Sequence, residues 1–206
     1  MVNMFTERVH NERMSREDRK QQTRTRLLAI ARQSFEDHGF EGTTMRSVAE
    51  AAGVAVGTVF VHFEDKRDLL CSALFDAVEG ALHQALHQAP AGPVRARLQH
   101  LTSTMFEHYQ SRPELSRMLL RESLLATGAW RPRFAAQVQR VHEVVTGWFT
   151  DDREAGTLHP TIDPALGAMA YLSFYYFALL GWIQGQPLDA VGLVDRLMAQ
   201  HLGPTK

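Results

Sequence analysis

The chain has 206 residues, of which 45% are hydrophobic and 22% charged, and this composition is that of a folded globular protein of one or two domains. Its 22 basic and 23 acidic side chains leave a formal charge of -1, which excludes a general electrostatic attraction to nucleic acid and leaves only local basic clusters for that purpose. The single cysteine, Cys71, excludes an internal disulfide and zinc sites built from several cysteines, and it is typical of a reducing compartment.

The N-terminal segment is polar and rich in charged residues. Residues 1–26 contain seven basic and four acidic side chains, a net charge of +3, and no apolar stretch of the kind found in signal peptides. We expect residues 1–16 to form a flexible basic arm. Such an arm can lie along phosphates or enter a minor groove, and a solvated tail with i,i+4 ion pairs fits the pattern equally well.

Apolar residues recur every three or four positions, as at Val94, Leu98 and Leu101, and period-two alternation is never sustained. This periodicity predicts an all-α fold. All eight prolines lie beyond residue 89 and separate segments of helical length. The predicted helices cover residues 17–38, 44–52, 55–62, 65–88, 94–110, 114–126, 131–155, 163–185 and 188–202.

Residues 43–63 have the spacing of a helix-turn-helix. Thr44 can cap the first helix, the small Ala49 lets the second helix cross close above it, and Gly53 supplies the turn. Taken alone, this spacing also fits a tight helical hairpin. The side chains predicted to fill the wedge against the preceding helix are Leu28, Ala31, Phe35, Val48, Val54 and Val59. The remaining face is available to the major groove of DNA.

Residues 24–70 resemble the N-terminal domain of the TetR family of bacterial transcriptional regulators. The resemblance lies in RLLAIARQSF at 26–35, HGF at 38–40, TT at 43–44, VA at 48–49, AGV at 52–54, GT at 57–58, HF at 62–63, Lys66 and LL at 69–70. It implies a homodimer that binds a double-stranded, approximately palindromic DNA operator. Beyond residue 75 the chain is similar to the family only in its helical layout.

The resemblance also implies which residues contact DNA: Thr44, Arg46, Ala55, Val56, Gly57, Thr58, Phe60, His62 and Lys66. Two features depart from the family pattern. Phe60 replaces the usual tyrosine and lacks its hydroxyl, and Ala55 and Val56 are apolar where base-reading polar side chains often occur. We therefore expect specificity to depend on Arg46, Thr58, methyl contacts and DNA shape.

The predicted organisation is an N-terminal three-helix domain joined by a long helix to a C-terminal ligand-binding and dimerisation domain. Its boundaries are 17–66 for the helix-turn-helix DNA-binding domain and 67–206 for the helical regulatory and dimerisation domain. At about 1.5 Å per residue, the helix at 65–88 would be about 36 Å long, enough to run through both domains.

Residues 164–183 form an uncharged segment long enough to span a bilayer. Its neighbours are Asp163 and Asp189 rather than lysine or arginine, which argues against a membrane partner. A helix that is apolar all round must be buried on both sides, and a second subunit would cover the outer side. The expected dimer interface, shared with the helix at 188–202, involves Tyr171, Phe177, Leu180, Trp182, Val194 and Leu197.

The C-terminal half contains more aromatic and methionine side chains than its core requires. We expect an effector cavity lined, with its polar anchors, by Met105, Phe106, Tyr109, Met118, Arg121, Glu122, Trp130, Phe134, Trp148, Phe174 and Tyr175. Any single one of them also fits ordinary core packing. Residues 71–206 contain eleven basic and twelve acidic side chains without a basic cluster, so a small hydrophobic or aromatic effector is expected.

The sequence thus predicts a cytoplasmic, ligand-responsive regulator, a repressor that the effector releases from its operator by swinging the long helices. An activator, or a constitutive DNA binder of the same fold, fits the same residues. A helical enzyme or interaction adaptor is the remote alternative, because the sequence contains no phosphate-binding glycine loop, nucleophile elbow or HExxH motif. No cofactor or metal is expected, since His83 and His87 lie four residues apart without an indicated third ligand.

Overall fold

The computed structural model describes residues 15–203, and this part of the chain is folded into helices joined by short turns. The helices are α1 (Arg16–Gly42), α2 (Met45–Ala51), α3 (Val56–His62), α4 (Lys66–His87), α5 (Val94–Ser111), α6 (Pro113–Leu124), α7 (Trp130–Glu154), α8 (Pro164–Ile183) and α9 (Ala190–Leu202). They match the predicted helices within two residues at every end except the C-terminal end of α1. The all-α prediction is therefore confirmed.

The predicted arm lies outside the described residues as far as residue 14. Its last two residues belong to the helical structure instead. Ser15 caps α1, because its hydroxyl accepts a hydrogen bond from the Asp18 backbone N–H at 3.0 Å, and Arg16 is the first residue of α1.

Helix α1 is interrupted at Gly39, whose φ of 69° lies in the left-handed region. The last turn folds back, so that Phe40 stacks on Phe35 with 6.0 Å between ring centroids. The buried Thr43 hydroxyl fastens this turn by sharing its proton between the carbonyl oxygens of Ser34 and Gly39, both at 2.9 Å. This extra turn explains why α1 extends beyond the predicted end at residue 38.

The helix-turn-helix is closed by its own backbone. Gly53, with a φ of 63°, makes the turn between α2 and α3, and the Val54 N–H donates back to the Ala49 carbonyl at 3.0 Å. On α1 it is Leu27, not the predicted Leu28, that is fully buried beneath these helices. Helical periodicity places both leucines near the inner face, and Leu28 lies at its half-buried edge.

Helix α4 links the N-terminal helices to the rest of the fold. Its 22 residues span about 33 Å, and it packs against α1, α5, α6 and α7. Arg32 of α1 holds it by donating two hydrogen bonds, at 3.1 and 2.7 Å, to the Ala73 carbonyl. Burial raises the pKa of the Cys71 thiol on this helix to about 12, so the thiol is neutral and chemically inert.

Helices α5 to α9 form the C-terminal bundle. Helix α8 packs mainly on α7 and α9. It is long and apolar enough to cross a membrane, with a mean hydropathy of 1.5, and 44% of that stretch is buried inside the protein. One side of this helix is therefore core, and the other side is uncovered.

A buried carboxylate ties the start of α5 to the end of α7. Asp152 accepts a hydrogen bond from the Val94 backbone N–H at 2.8 Å and another from the Arg97 guanidinium at 2.7 Å. Asp151 contacts the same guanidinium at 2.9 Å, but its side chain is 65% exposed, against 9% for Asp152. The two neighbouring aspartates therefore contact one cation from very different environments.

Replacing Asp152 with alanine should lower the free energy of unfolding by about 3 kcal/mol, because the buried Arg97 charge and the Val94 N–H lose their partner. Replacing Asp151 with alanine is the matched control and should cost less than about 1 kcal/mol, since that pair is solvent-screened. Urea denaturation of the two variants measures the difference. Equal losses would mean that burial of the pair contributes nothing.

Candidate functional site

Helix α3 presents an uncovered apolar face. On its inner side Val59 is fully buried, whereas Val56, Phe60 and Val61 are 39%, 53% and 69% exposed. The other predicted contacts on or next to this helix, all at least partly exposed, are Ala55, Gly57, Thr58 and His62. Sequence reasoning missed Val61, although its place one turn after Gly57 puts it on the same side of the helix.

The start of α2 lies on the same part of the molecule. Thr44 is exposed and caps α2, accepting from the Ser47 backbone N–H at 3.0 Å and donating to the Ser47 hydroxyl at 3.1 Å. Arg46 is exposed, and within residues 15–203 it makes neither a hydrogen bond nor an ion pair. Its guanidinium is thus available to an external anion.

Lys66, predicted to contact a phosphate, makes several contacts within the protein. Its ammonium donates to the Phe40 carbonyl at 2.8 Å, lies 4.2 Å from the centre of the Phe40 ring and is 3.9 Å from the Glu41 carboxylate. The lysine therefore caps the folded-back end of α1. A carbonyl brought close by the tertiary fold accepts one of the three N–H protons of this ammonium, and its contact with a phosphate stays a prediction.

Two backbone N–H groups at the start of α4 donate to carboxylates. Asp65 accepts from the Asp68 N–H at 2.8 Å, and Asp68 accepts from the Glu64 N–H at 2.9 Å. These bonds use the Glu64 and Asp68 amides, and help from the Lys66 and Arg67 amides in binding a phosphate stays a prediction.

Arg24, one of the basic residues counted with the arm, is part of the folded core of this site. Its guanidinium donates to the His62 carbonyl at 2.8 Å and lies 4.5 Å from the centre of the Phe63 ring. Partial burial, with the positive charge of Arg24 as a second cause, lowers the pKa of His62. The imidazole is therefore neutral at neutral pH.

An apolar cavity of about 500 Å³ lies in the C-terminal bundle between α4, α5, α6, α7 and α8. Four predicted residues line it, namely Met105, Tyr109, Phe134 and Tyr175. Lining residues that sequence reasoning missed include Val78, Leu82, Leu101, Arg131, Gln137, Val138, Tyr171 and Tyr176. Among the described residues that line it, Arg131 is the one with a formal charge.

The other seven predicted lining residues lie elsewhere, which corrects the prediction. The two polar ones contact other elements: Arg121 is exposed near the Ile183 carbonyl, and Glu122 pairs with Arg67 at 3.3 Å. The remaining ones, which pack in the core or between helices, are Phe106, Met118, Trp130, Trp148 and Phe174. An excess of aromatic residues reveals that a cavity can exist, but not which way each side chain points.

Trp130 has a specific role in this packing. Its indole N–H donates to the Asp68 carboxylate of α4 at 2.9 Å, and its ring packs with Phe75 of α4 at 5.5 Å between centroids. Phe134, which lines the cavity, meets Phe75 edge-on at 5.3 Å. The first turn of α7 is thus joined to α4 at the margin of the cavity.

Three buried tyrosines share the inner wall of the cavity. Tyr175 donates to the Tyr109 hydroxyl at 3.2 Å, and the Tyr171 hydroxyl is 3.0 Å from the Thr102 hydroxyl. Burial raises the pKa of Tyr109 to about 12 and raises the pKa values of Tyr171 and Tyr175 as well. Burial also raises the pKa of Tyr176.

The outer side of α8 carries an uncovered apolar strip, which we define as Leu166, Met169, Phe177 and Leu180. Phe177 and Leu180, both predicted for a dimer interface, are 64% and 43% exposed, and Leu197 on α9 is half-buried. The other three predicted interface residues, which are buried inside the protomer, are Tyr171, Trp182 and Val194. A helix apolar on all sides gives no sequence signal for its inner face, so these three were wrongly placed.

A protein-family model matches the N-terminal helices of this chain. Residues 27–73 match the family model described as bacterial regulatory proteins, tetR family. The matched segment contains the helix-turn-helix and the first turns of α4.

The similarity extends over most of the chain in individual proteins. The transcriptional regulator UidR of Escherichia coli strain K12 is 26% identical over 165 residues, covering 77% of this chain and 81% of UidR. The transcriptional repressor KstR of Rhodococcus jostii strain RHA1 is 27% identical over 178 residues, covering 86% and 80%. Among solved structures, FadR from Bacillus subtilis in complex with stearoyl-CoA superposes with a TM-score of 0.67 at 16% identity, covering 87% of this chain and 97% of FadR, a likeness of fold.

Burial of the tyrosines predicts that the folded protein loses stability at alkaline pH. All four tyrosines have raised pKa values, so the folded protein should form little phenolate near pH 10, about where free tyrosine is half ionised. Above about pH 10 the unfolded chain loses protons that the folded chain keeps, so stability should fall as pH rises.

Near-ultraviolet phenolate absorbance, recorded against pH for the folded and the urea-unfolded protein, checks this expectation. The unfolded protein is the control and should titrate as free tyrosine. One full tyrosine equivalent of phenolate near pH 10 in the folded protein would contradict the burial described for these phenols.

Proposed function

The chain belongs to the TetR family of bacterial regulatory proteins, and we propose that it is a homodimeric, cytoplasmic repressor that leaves its operator when a small apolar molecule fills the cavity. It is a DNA-binding transcriptional regulator. The observation that carries the proposal is the uncovered face of α3, which is connected through α4 to an apolar cavity.

The α3 face is suited to a major groove. A helix of this diameter fits the groove, and the exposed Val56, Phe60 and Val61 can contact thymine methyl groups and sugars. Arg46 supplies an unpaired cation beside it, and the Thr44 hydroxyl proton can turn from Ser47 to a phosphate oxygen. With few hydrogen-bonding side chains on α3, DNA shape contributes a large part of the selectivity.

The apolar strip of α8 is proposed as the subunit contact. It carries no charge and faces away from the protomer core, and a second copy of the same strip would cover it around a two-fold axis. Such a dimer presents two α3 helices to successive major grooves of one approximately palindromic operator.

The cavity is coupled to α3 through the first turn of α7. A ligand that moves Phe134 also moves Phe75, and the Trp130 bond to Asp68 carries the displacement into the start of α4. Since α4 follows α3 after three residues, its tilt changes the spacing of the two reading helices. The effector needs a preference for the released state of about 1–3 kcal/mol.

Arg46→Gln should weaken operator binding and reduce the slope of log K against log salt by about 0.9 per subunit, because one phosphate contact is lost. Lys66→Gln is the matched control. It should leave this slope unchanged and lower the free energy of unfolding by about 1 kcal/mol, because its ammonium bonds inside the protein.

The measurement uses duplexes that the purified protein selects from random sequence, with affinity recorded at several salt concentrations. Failure to enrich any duplex contradicts the proposed function. A slope reduced by Lys66→Gln and not by Arg46→Gln would reverse the assignment of the two cations.

Leu180→Glu should raise the dimer dissociation constant roughly 100-fold, because it places an unpaired charge in the subunit contact. Leu125→Glu is the control, since Leu125 is an exposed leucine in the turn after α6, away from the strip. Sedimentation velocity over a range of concentrations reports both variants. A Leu180→Glu protein that remains as dimeric as the Leu125→Glu protein would place the contact elsewhere.

A further inference from the structure

The cavity contains a hydrogen-bond donor that the protein itself does not use. In the pair formed by Tyr109 and Tyr175, the Tyr175 hydroxyl donates and the Tyr109 hydroxyl accepts, at 3.2 Å. The proton of Tyr109 has no acceptor among residues 15–203, and the residue is only 4% exposed. A buried donor without a partner is unfavourable, so a ligand atom that accepts this proton would stabilise the position.

The two neighbouring phenols are satisfied, which singles out Tyr109. The Thr102 hydroxyl donates to the Leu98 carbonyl at 2.8 Å, so its lone pairs are free to accept the proton of Tyr171 at 3.0 Å. The proton of Tyr171 is therefore used, as is that of Tyr175. Among the three fully buried phenols that line the cavity, Tyr109 alone has its proton available.

The charges around the cavity limit what the acceptor can be. No aspartate or glutamate of the described part of the chain lines it, so none of these residues would balance a cationic ligand. Its single lining cation, Arg131, is exposed, whereas Tyr109 lies in a buried wall of Leu101, Met105 and other phenols. A carboxylate beside Tyr109 would lose its water without gaining a countercharge, so a neutral acceptor is favoured.

We propose that the effector has an apolar body and a neutral carbonyl group, as in a ketone, ester, thioester or amide, and that this carbonyl oxygen accepts the Tyr109 hydroxyl proton. The inference rests on the proposed function, because it takes the cavity to be the effector site. A cavity of about 500 Å³ is in the range of small-molecule sites.

Three probes of matched size test the proposal: acetylnaphthalene with a neutral carbonyl, ethylnaphthalene without an acceptor, and naphthoate with a charged one. Titration calorimetry with the full-length protein should give a dissociation constant for acetylnaphthalene about tenfold below that for ethylnaphthalene, the gain expected of one buried hydrogen bond. Naphthoate should bind less tightly than acetylnaphthalene.

The variants distinguish a hydrogen bond from the Tyr109 hydroxyl to the probe from one made by the other phenols. Tyr109→Phe alone would free the Tyr175 proton, so it is made in a Tyr175→Phe background. The double variant should lose the preference for the carbonyl probe, while Tyr175→Phe and Tyr171→Phe should keep it. Thermal unfolding of each variant verifies that the bundle is folded.

Four results would overturn the proposal: equal affinity of the wild type for acetylnaphthalene and ethylnaphthalene, naphthoate binding tightest, a preference retained by the double variant, or no binding of any probe. Duplex selection with the same protein preparation tests the proposed function separately. If a duplex is selected and any of these four results is also obtained, the proposed regulatory function is retained and the carbonyl proposal is rejected.

Discussion

The Asp68 carboxylate is the contact on which the proposed connection between the cavity and helix α3 depends. It accepts from the Trp130 indole of α7 at 2.9 Å and from the Ser72 hydroxyl of its own helix at 3.3 Å. Ser72 in turn accepts from Arg24, whose other nitrogen donates to the His62 carbonyl at the end of α3. A chain of hydrogen bonds therefore runs from the margin of the cavity to the helix proposed to read DNA.

The two proposed sites are alike in being poor in charge. The α3 face is dominated by valine and phenylalanine side chains, and the cavity by aliphatic and phenolic ones. In both places selectivity must come from shape and from a small number of placed polar groups, Arg46 outside and Tyr109 inside. Each of these groups has an unused hydrogen-bonding capacity that its own neighbours do not satisfy.

The sequence predicted those features of the fold that depend on interactions between neighbouring residues. Helical periodicity, the Thr44 cap and the Gly53 turn depend on neighbours within a few residues, so helix ends and the helix-turn-helix could be predicted without coordinates. Lys66 could not, because its acceptor, the Phe40 carbonyl, is 26 residues away and is brought close only by the break at Gly39. Long-range contacts of this kind leave no local pattern.

The orientation of the apolar helices could not be predicted from the sequence either. Helix α8 is hydrophobic on every side, so periodicity could not distinguish the buried Tyr171 and Trp182 from the exposed Phe177. The same ambiguity explains why only four of the eleven predicted lining residues face the cavity. The unused proton of Tyr109 depends on which phenol donates to which, and that is a property of three-dimensional arrangement alone.

The uncharged strip on α8 has a consequence for how partners are chosen. Natural pairing surfaces reject wrong partners with misplaced charges and unsatisfied polar groups, and Leu166, Met169, Phe177 and Leu180 offer neither. In a cell that makes several regulators of this architecture, fidelity of pairing would rest on the steric fit of these four side chains. In the proposed dimer, a relative whose strip has a similar contour would meet no electrostatic barrier to forming a mixed dimer, in which each half reads a different sequence.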